Sequence, residues 1–247
     1  MLHSPLPAKV QAAVDALRNG EPVFLYDADG REEETDIVYA SEYVNPASIH
    51  HLRTEAGGLI CTTIPAEFHE GLKLPFLSDV MFDASQDHRI LARLVSGDIP
   101  YEPAGAKPAF GLTINHREVR TGVTDADRAK TIGAVAQLVK RQPGSKNAAL
   151  ADEFAKTFRA PGHVFLLNAR RGLVTVRRGH TELATALVSL AGLAPTATIC
   201  EMMNGPSGRA LPKSDAIKYA ALNGRVFLEG TEVIEAWQRK GRAAASE

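Results

Sequence analysis

The sequence predicts an α+β protein, a single domain with helices packed on a mixed β-sheet. Three observations carry that expectation. Apolar runs of strand length are interspersed with segments of helical period, yet without the strict strand-helix-strand rhythm of a wholly parallel sheet. No internal repeat or linker divides the 247 residues. The content, 45% hydrophobic and 23% charged, is that of an ordinary globular chain long enough to bury a large core. The domain is expected over residues 1–240, with 241–247 as a flexible, frayed tail.

Residues 7–19 carry Val10, Val14 and Leu17 at helical spacing and stop at Asn19-Gly20, a common helix ending. Residues 22–26 and 37–40 read as strands on either side of an acidic loop. Asn45-Pro46, a capping residue followed by proline at the first helical position, opens a short helix that ends at Gly57-Gly58. A buried strand follows at 59–64. From 65 to 108 the pattern weakens, and only 87–95 reads as a helix. Residues 110–115 form a strand running into a polar turn at 116–123. Thr124, with Asp127 three positions on, resembles a capping box for a helix over 125–141 with Ile132, Val135, Ala136 and Val139 on its apolar face. A loop is expected at 142–147, then an amphipathic helix through Leu150, Phe154 and Phe158. Strands are expected at 164–167, 173–176 and 198–202, and helices at 181–191, 214–222 and 231–240.

A formal net charge of −1 leaves no general basic surface for nucleic acid or anionic membrane, so phosphate binding must come from local arginines and the partner is expected to be small. Cys61 and Cys200 lie singly in apolar runs, which argues against a structural zinc site or a disulfide framework and fits a reducing compartment. No run approaches the ~18 apolar residues of a membrane span, and the N-terminus lacks the pattern of a secretion signal. A cytoplasmic location is the expectation.

The chemistry concentrates in a few places. DADGREEETD packs Asp27, Asp29, Glu32, Glu33, Glu34 and Asp36 around one Arg31. Carboxylates held ~4 Å apart repel by about 1 kcal/mol even in water, so the stretch is either a solvated surface loop or a cluster compensated by cations, for which divalent metal ions are the usual choice. RRGHTE places Arg177, Arg178 and Gly179 just ahead of His180 and Thr181 where a helix should start. Such a terminus suits a phosphate, although Glu182 in the first turn fits a plain capped helix equally well. His180 beside a phosphate cradle could share a metal with the acidic loop. His163 enters a strand after Pro161-Gly162, where an imidazole could act as general acid or base. Glu201 ends an apolar strand, either turned inward with a raised pKa or outward on an edge. Thr121-Gly122 leads into a capped helix whose amides and hydroxyls could hold a phosphate or polyol, or serve capping alone.

Through DADGREEETDIVYASEYV, GLICTTI, INHREVRTGVTDADRAKTI, APGHVFLLNA, RRGHTELATALVSLAG and ICEMMN, in that order, the chain resembles the 3,4-dihydroxy-2-butanone 4-phosphate synthase family, lyases of riboflavin biosynthesis that act on ribulose 5-phosphate. The likeness runs from about Pro22 to Asn204, and the long spacer before His163, without a following cyclohydrolase module, looks like the stand-alone archaeal type. It implies a three-layer sandwich of helices around a mixed sheet, and a homodimer with its active sites at the subunit interface. It also implies roles. Glu32 and His180 match metal ligands for one or two Mg2+ ions, replaceable by Mn2+. Asp27, Arg31 and Asp36 match substrate contacts, Arg177 and Thr181 a phosphate cradle with Thr121 assisting, and His163 and Glu201 the groups that handle protons. Two departures stand out: Thr35 occupies a position where the family has glycine, and Glu33 one where many relatives carry asparagine. Three alternatives stand beside it: a sugar-phosphate binder that kept the cradle and would release no formate, a nucleotide- and RNA-linked enzyme like threonylcarbamoyl-adenylate synthase, for which a net charge of −1 shows no basic surface, and an aldose-ketose isomerase, which would lose no carbon.

Overall fold

The computed structural model describes residues 5–95, 98–141 and 148–245. Seven strands form one mixed sheet in the order β4-β5-β3-β6-β2-β1-β9, built from β1 (Val23–Tyr26), β2 (Thr35–Ala40), β3 (Cys61–Ile64), β4 (Phe110–His116), β5 (Phe158–Asn168), β6 (Ala197–Glu201) and β9 (Phe227–Glu229). β1 with β9 and β3 with β5 run parallel, and the remaining neighbours antiparallel. A separate two-stranded ribbon joins β7 (Met203–Asn204) to β8 (Arg209–Ala210).

Side chains alternate along each strand, so one sheet feeds two cores. Phe24, Tyr26, Ile37, Tyr39, Leu166 and Cys200 face one core, completed by α2 (Pro46–His51), α6 (Asp125–Arg141), α7 (Ala148–Thr157) and α9 (Lys213–Leu222). Val23, Leu25, Val38, Ala40, Cys61 and Ile199 face the other, completed by α1 (Ala8–Arg18), α8 (His180–Leu190) and α10 (Gly230–Ala245). Helices on both faces of a mixed sheet make the expected three-layer α+β sandwich. Fully burying each Leu, Ile or Phe contributes ~1.5–3 kcal/mol, which is why central strands such as β1 and β2 are buried at every position.

The Asn45 cap forms as the sequence indicates, its side chain accepting from Ala47 N at 2.9 Å and Ser48 N at 3.1 Å. The helix then widens into a π-helical turn over Leu52–Ala56 and closes on Gly57. Several expectations are corrected. Residues 173–176 are not a strand but a 3-10 turn over Leu173–Thr175, because local bonds such as Val176 N to Leu173 O at 2.9 Å form where no neighbouring strand offers partners. Phe158 does not continue α7; it opens β5 and stacks on Phe154 with ring centroids 4.7 Å apart. The helix expected at 87–95 forms as α5 (Arg89–Leu94), but the weak region also holds α3 (Ala66–Gly71) and α4 (Leu77–Asp83), and α4 buries no residue, so no apolar stripe marks it in sequence. α10 runs on to Ala245, past the 231–240 expected for that helix; 246–247 and the expected loop at 142–147 lie outside the described residues. No helix among the described residues is long and apolar enough to cross a membrane.

Candidate active site

The acidic loop folds around its first carboxylate. Asp27 is buried, and its Oδ2 accepts from Arg31 Nη1 and from Glu32 N, both at 3.0 Å, while Oδ1 accepts from Glu34 N at 3.1 Å. These bonds reverse the chain and turn Glu32 inward. Glu33 sits at φ 58°, a left-handed conformation that asparagine adopts more readily than glutamate.

Strand register sets the next two carboxylates. Asp36 lies two positions before Val38 on the same sheet face and Glu201 two after Ile199, so the apolar surface under α8 becomes acidic at its end. Asp36 and Glu201 are direct cross-strand partners, and Glu201 Oε2 is fixed by Leu59 N at 2.8 Å.

The N-terminus of α8 comes down on this edge. His180 Nδ1 lies 3.0 Å from Glu32 Oε2, and its Nε2 is 3.2 Å from Glu34 O and 3.7 Å from Asp36 Oδ1. The two sequence-distant candidates for metal binding therefore touch. Gly179 is the N-cap of the helix, and a Cβ there would come within 2.3 Å of Arg177 Nη1 and 2.7 Å of Arg31 Nη2, so only glycine lets both guanidiniums converge. Arg177 Nη1 bonds the fully buried Glu182 at 2.7 Å, and Glu182 also accepts from Arg170 N at 3.0 Å.

Charge coupling follows from this packing. Burial pushes Glu32 up, but the His180 bond and Arg31 pull its pKa down to about 2. Burial lowers His180, and Asp36 with the Glu32 bond outweighs it, raising the pKa to about 9. Asp36 is raised well above the usual range by its complete burial, a shift that His180 opposes and Glu201, Glu32 and Glu34 reinforce. Burial likewise raises Glu34, assisted by Glu201 and Glu32.

These groups line a cavity of about 360 Å³. Its polar wall consists of Arg31, Glu32, Glu34, Asp36, Arg177, His180, Thr181 and Glu201, and the facing wall includes Ile99, Tyr101, Pro108 and Phe110. Sequence reasoning missed the second wall. It also missed Glu102, whose carboxylate lies 2.5 Å from Arg31 Nη2 and 2.9 Å from Arg177 Nη2. A single glutamate among prolines and glycines carries no periodic signal.

Other expected residues lie elsewhere. Asp27 braces the loop and lines no part of the cavity. Arg178 is exposed, so the adjacent arginines do not act as a pair. Thr121 and His163 are exposed outside the cavity, gathered around Asn115: its Nδ2 donates to Thr121 O at 3.2 Å and lies 3.1 Å from His163 Nδ1, and its Oδ1 accepts from His163 N at 2.8 Å. Gly122 is required at their side, since its φ is 95° and a Cβ would lie 2.1 Å from Asn115 Nδ2.

The donor set fits a divalent cation. Among the described residues Asp27, Glu32 and His180 place ligand atoms within 4.8 Å of one another, and Asp36 Oδ1 is buried without a hydrogen-bond partner. Oxygen and imidazole donors with buried excess negative charge suit a hard or borderline metal ion. Since Asp27 is spent on the loop, Glu32 and His180 are the available pair.

The family model of 3,4-dihydroxy-2-butanone 4-phosphate synthase matches residues 11–236. The chain belongs to the 3,4-dihydroxy-2-butanone 4-phosphate synthase family. A synthase of that name from Methanothermobacter thermautotrophicus is 43% identical over 228 residues, 92% of this chain and 95% of its own length. Among solved structures, a cation-free form of such a synthase superposes with TM-score 0.71 at 25% identity, covering 95% of this chain and 99% of that one. Another, in complex with two magnesium ions, gives TM-score 0.68 at 27% identity, covering 90% of this chain and 93% of that one. The mixed sheet and helical layers described above are therefore the family's fold.

Proposed function

We propose that the protein converts D-ribulose 5-phosphate into 3,4-dihydroxy-2-butanone 4-phosphate and formate for riboflavin biosynthesis, using a divalent ion. The observation that carries this reading is the meeting of Glu32 and His180, at 3.0 Å, inside a cavity that also presents Arg31, Arg177 and Thr181. Glu32 and His180 would hold Mg2+, or Mn2+ in its place; when bound, the ion supplies Lewis-acid polarisation to the oxygens of the substrate's ketone and neighbouring hydroxyls. Arg177, Thr181 and the first amides of α8 would take the phosphate. Arg31 and Asp36 would contact the hydroxylated chain, orienting it.

The reaction removes a C3 proton, eliminates the C1 hydroxyl, shifts the skeleton and releases C4 as formate. Ketose phosphate equals four-carbon product plus formate atom for atom, so no external oxidant is needed. Protons must move at each step, and Glu201, which accepts from Leu59 N, would carry them. His163 is the second proton carrier in this reading. Because it and Thr121 lie outside the cavity of their own subunit, the reading includes a homodimer in which each subunit supplies them to the other.

Purified protein is incubated with ribulose 5-phosphate and Mg2+, with and without EDTA, and formate is assayed. Formate release that EDTA stops, and that Glu32→Gln or His180→Ala lowers by at least about a hundredfold, is expected. Full turnover by either variant would remove the metal assignment; sugar-phosphate binding without formate would leave only a binder.

A further inference from the structure

We propose that Glu102 is a tethered competitor for the anion site, holding Arg31 and Arg177 until a phosphate dianion displaces it, and so sets the site's preference for phosphorylated ligands. This rests on the reading of Arg177 as part of a phosphate cradle, and it adds Arg31, which shares the same Glu102 oxygen, to that cradle. Their donors are nearly all committed. Arg31 Nη1 serves Asp27 and Glu32, at 3.0 and 3.1 Å, and Arg177 Nη1 serves Glu182 at 2.7 Å. The inward Nη2 groups remain, and one oxygen of Glu102 takes both, at 2.5 and 2.9 Å. Arg177 Nε is buried with no partner, a donor that this carboxylate leaves unused.

Glu102 belongs to the segment between α5 and β4, which also lays Tyr101 against Arg31 with the guanidinium carbon 5.3 Å from the ring centroid. The side chain of Glu102 is only 8% exposed, so it sits where a small anion would sit. A phosphate cannot join it there. Two guanidiniums already face four carboxylates, Asp27, Glu32, Glu102 and Glu182, and a dianion added to them meets repulsion that departure of Glu102 would relieve.

A tethered carboxylate competes as though present at millimolar concentration or above. A free monoanion has no greater charge and loses that contest. A phosphate ester carries up to two charges and three acceptor oxygens, enough to use both Nη2 groups and the spare Nε. A residue that merely positioned the arginines would act with the opposite sign, since its removal would weaken anion binding.

Inorganic phosphate and acetate are titrated calorimetrically into wild type, Glu102→Gln and Glu235→Gln at pH 8 and fixed ionic strength, without divalent ions. Glu235 is an exposed carboxylate on α10 that controls for loss of one charge. Glu102→Gln is expected to bind phosphate at least about fivefold more tightly and to gain measurable acetate binding, with Glu235→Gln matching wild type. Equal or weaker phosphate binding by folded Glu102→Gln overturns the proposal. Should that variant fail to fold, amide exchange over 98–109 in wild type decides: saturating phosphate is expected to accelerate it, and unchanged or slower exchange overturns the proposal. Tighter phosphate binding by Glu102→Gln together with no formate release by wild type would defeat the synthase reading while leaving this one standing.

Discussion

His180 and Glu32 share a proton when no metal is bound, and the consequence is a pH window with two edges. His180 is raised from 6.5 to about 9, so its contribution to stability is complete below pH 6.5 and is lost as pH rises through about 9. Glu32 is lowered from 4.5 to about 2, so its contribution is present above pH 4.5 and is lost as pH falls through about 2. The thermal stability advantage of metal-free wild type over Glu32→Gln should therefore shrink between pH 6.5 and about 9.5. A divalent ion must evict that proton, so its apparent affinity should climb over the same interval, by up to about tenfold per pH unit, in Mn2+ titrations at several pH values. A flat profile would mean that the ion does not use the His180 nitrogens. At this scale the sequence was most readable where two charged motifs had one chemical use between them. His180 and the acidic loop stand out by residue type and neighbours, and the family resemblance points to Glu32 among the loop's carboxylates, whereas Glu102 acquires meaning only from the two arginines the fold brings to it.

One helix, α8, organises the cavity, and its first turn is pinned from beneath. Glu182 is completely buried, holding the guanidinium of Arg177 and the amide of Arg170 with its two oxygens. Removing one partner of a buried ion pair costs about 3–5 kcal/mol because the other is left uncompensated. Glu182→Ala should lose stability of that order in urea denaturation and should weaken phosphate binding through a released Arg177, while Glu182→Gln, which keeps the amide bond, should lose less. A loss below about 1 kcal/mol would show that water replaces the carboxylate without penalty. Elements with a buried face were legible in sequence: α6 and α8 repeat their apolar residues at helical spacing because a core selects them. Where burial is absent the pattern goes silent, as in α4, or misleads, as in Leu173-Val174-Thr175-Val176, whose β-branched run reads as a strand although only Val174 is buried. The cavity's second wall comes mainly from the segment between α5 and β4, so that side of the site lay in the least readable part of the chain.

At the scale of the whole molecule, the sheet divides the proposed chemistry. The α8 face gathers Glu32, Asp36, His180 and Glu201 about one cavity, while the antiparallel pair β4–β5 and the turn after β4 set the exposed Thr121 and His163 around the buried Asn115 as a separate cluster. If two copies related by a twofold axis exchange these clusters, every active site draws on both chains. Subunit mixing tests this more sharply than a molecular mass, because each of two dead variants can supply what the other lacks. Glu32→Gln spoils the cavity of its own subunit and leaves its His163 intact; His163→Ala does the reverse. After unfolding and refolding an equal mixture, half of the dimers are mixed on random pairing, and each mixed dimer holds one site with both residues intact. Activity should rise from near zero to about one quarter of wild type. If His163 instead serves its own subunit, a mixed dimer contains no intact site and the mixture stays dead. Recovery near one quarter would therefore assign the imidazole to the neighbouring chain, and no recovery with mixed dimers demonstrably present would return it to its own.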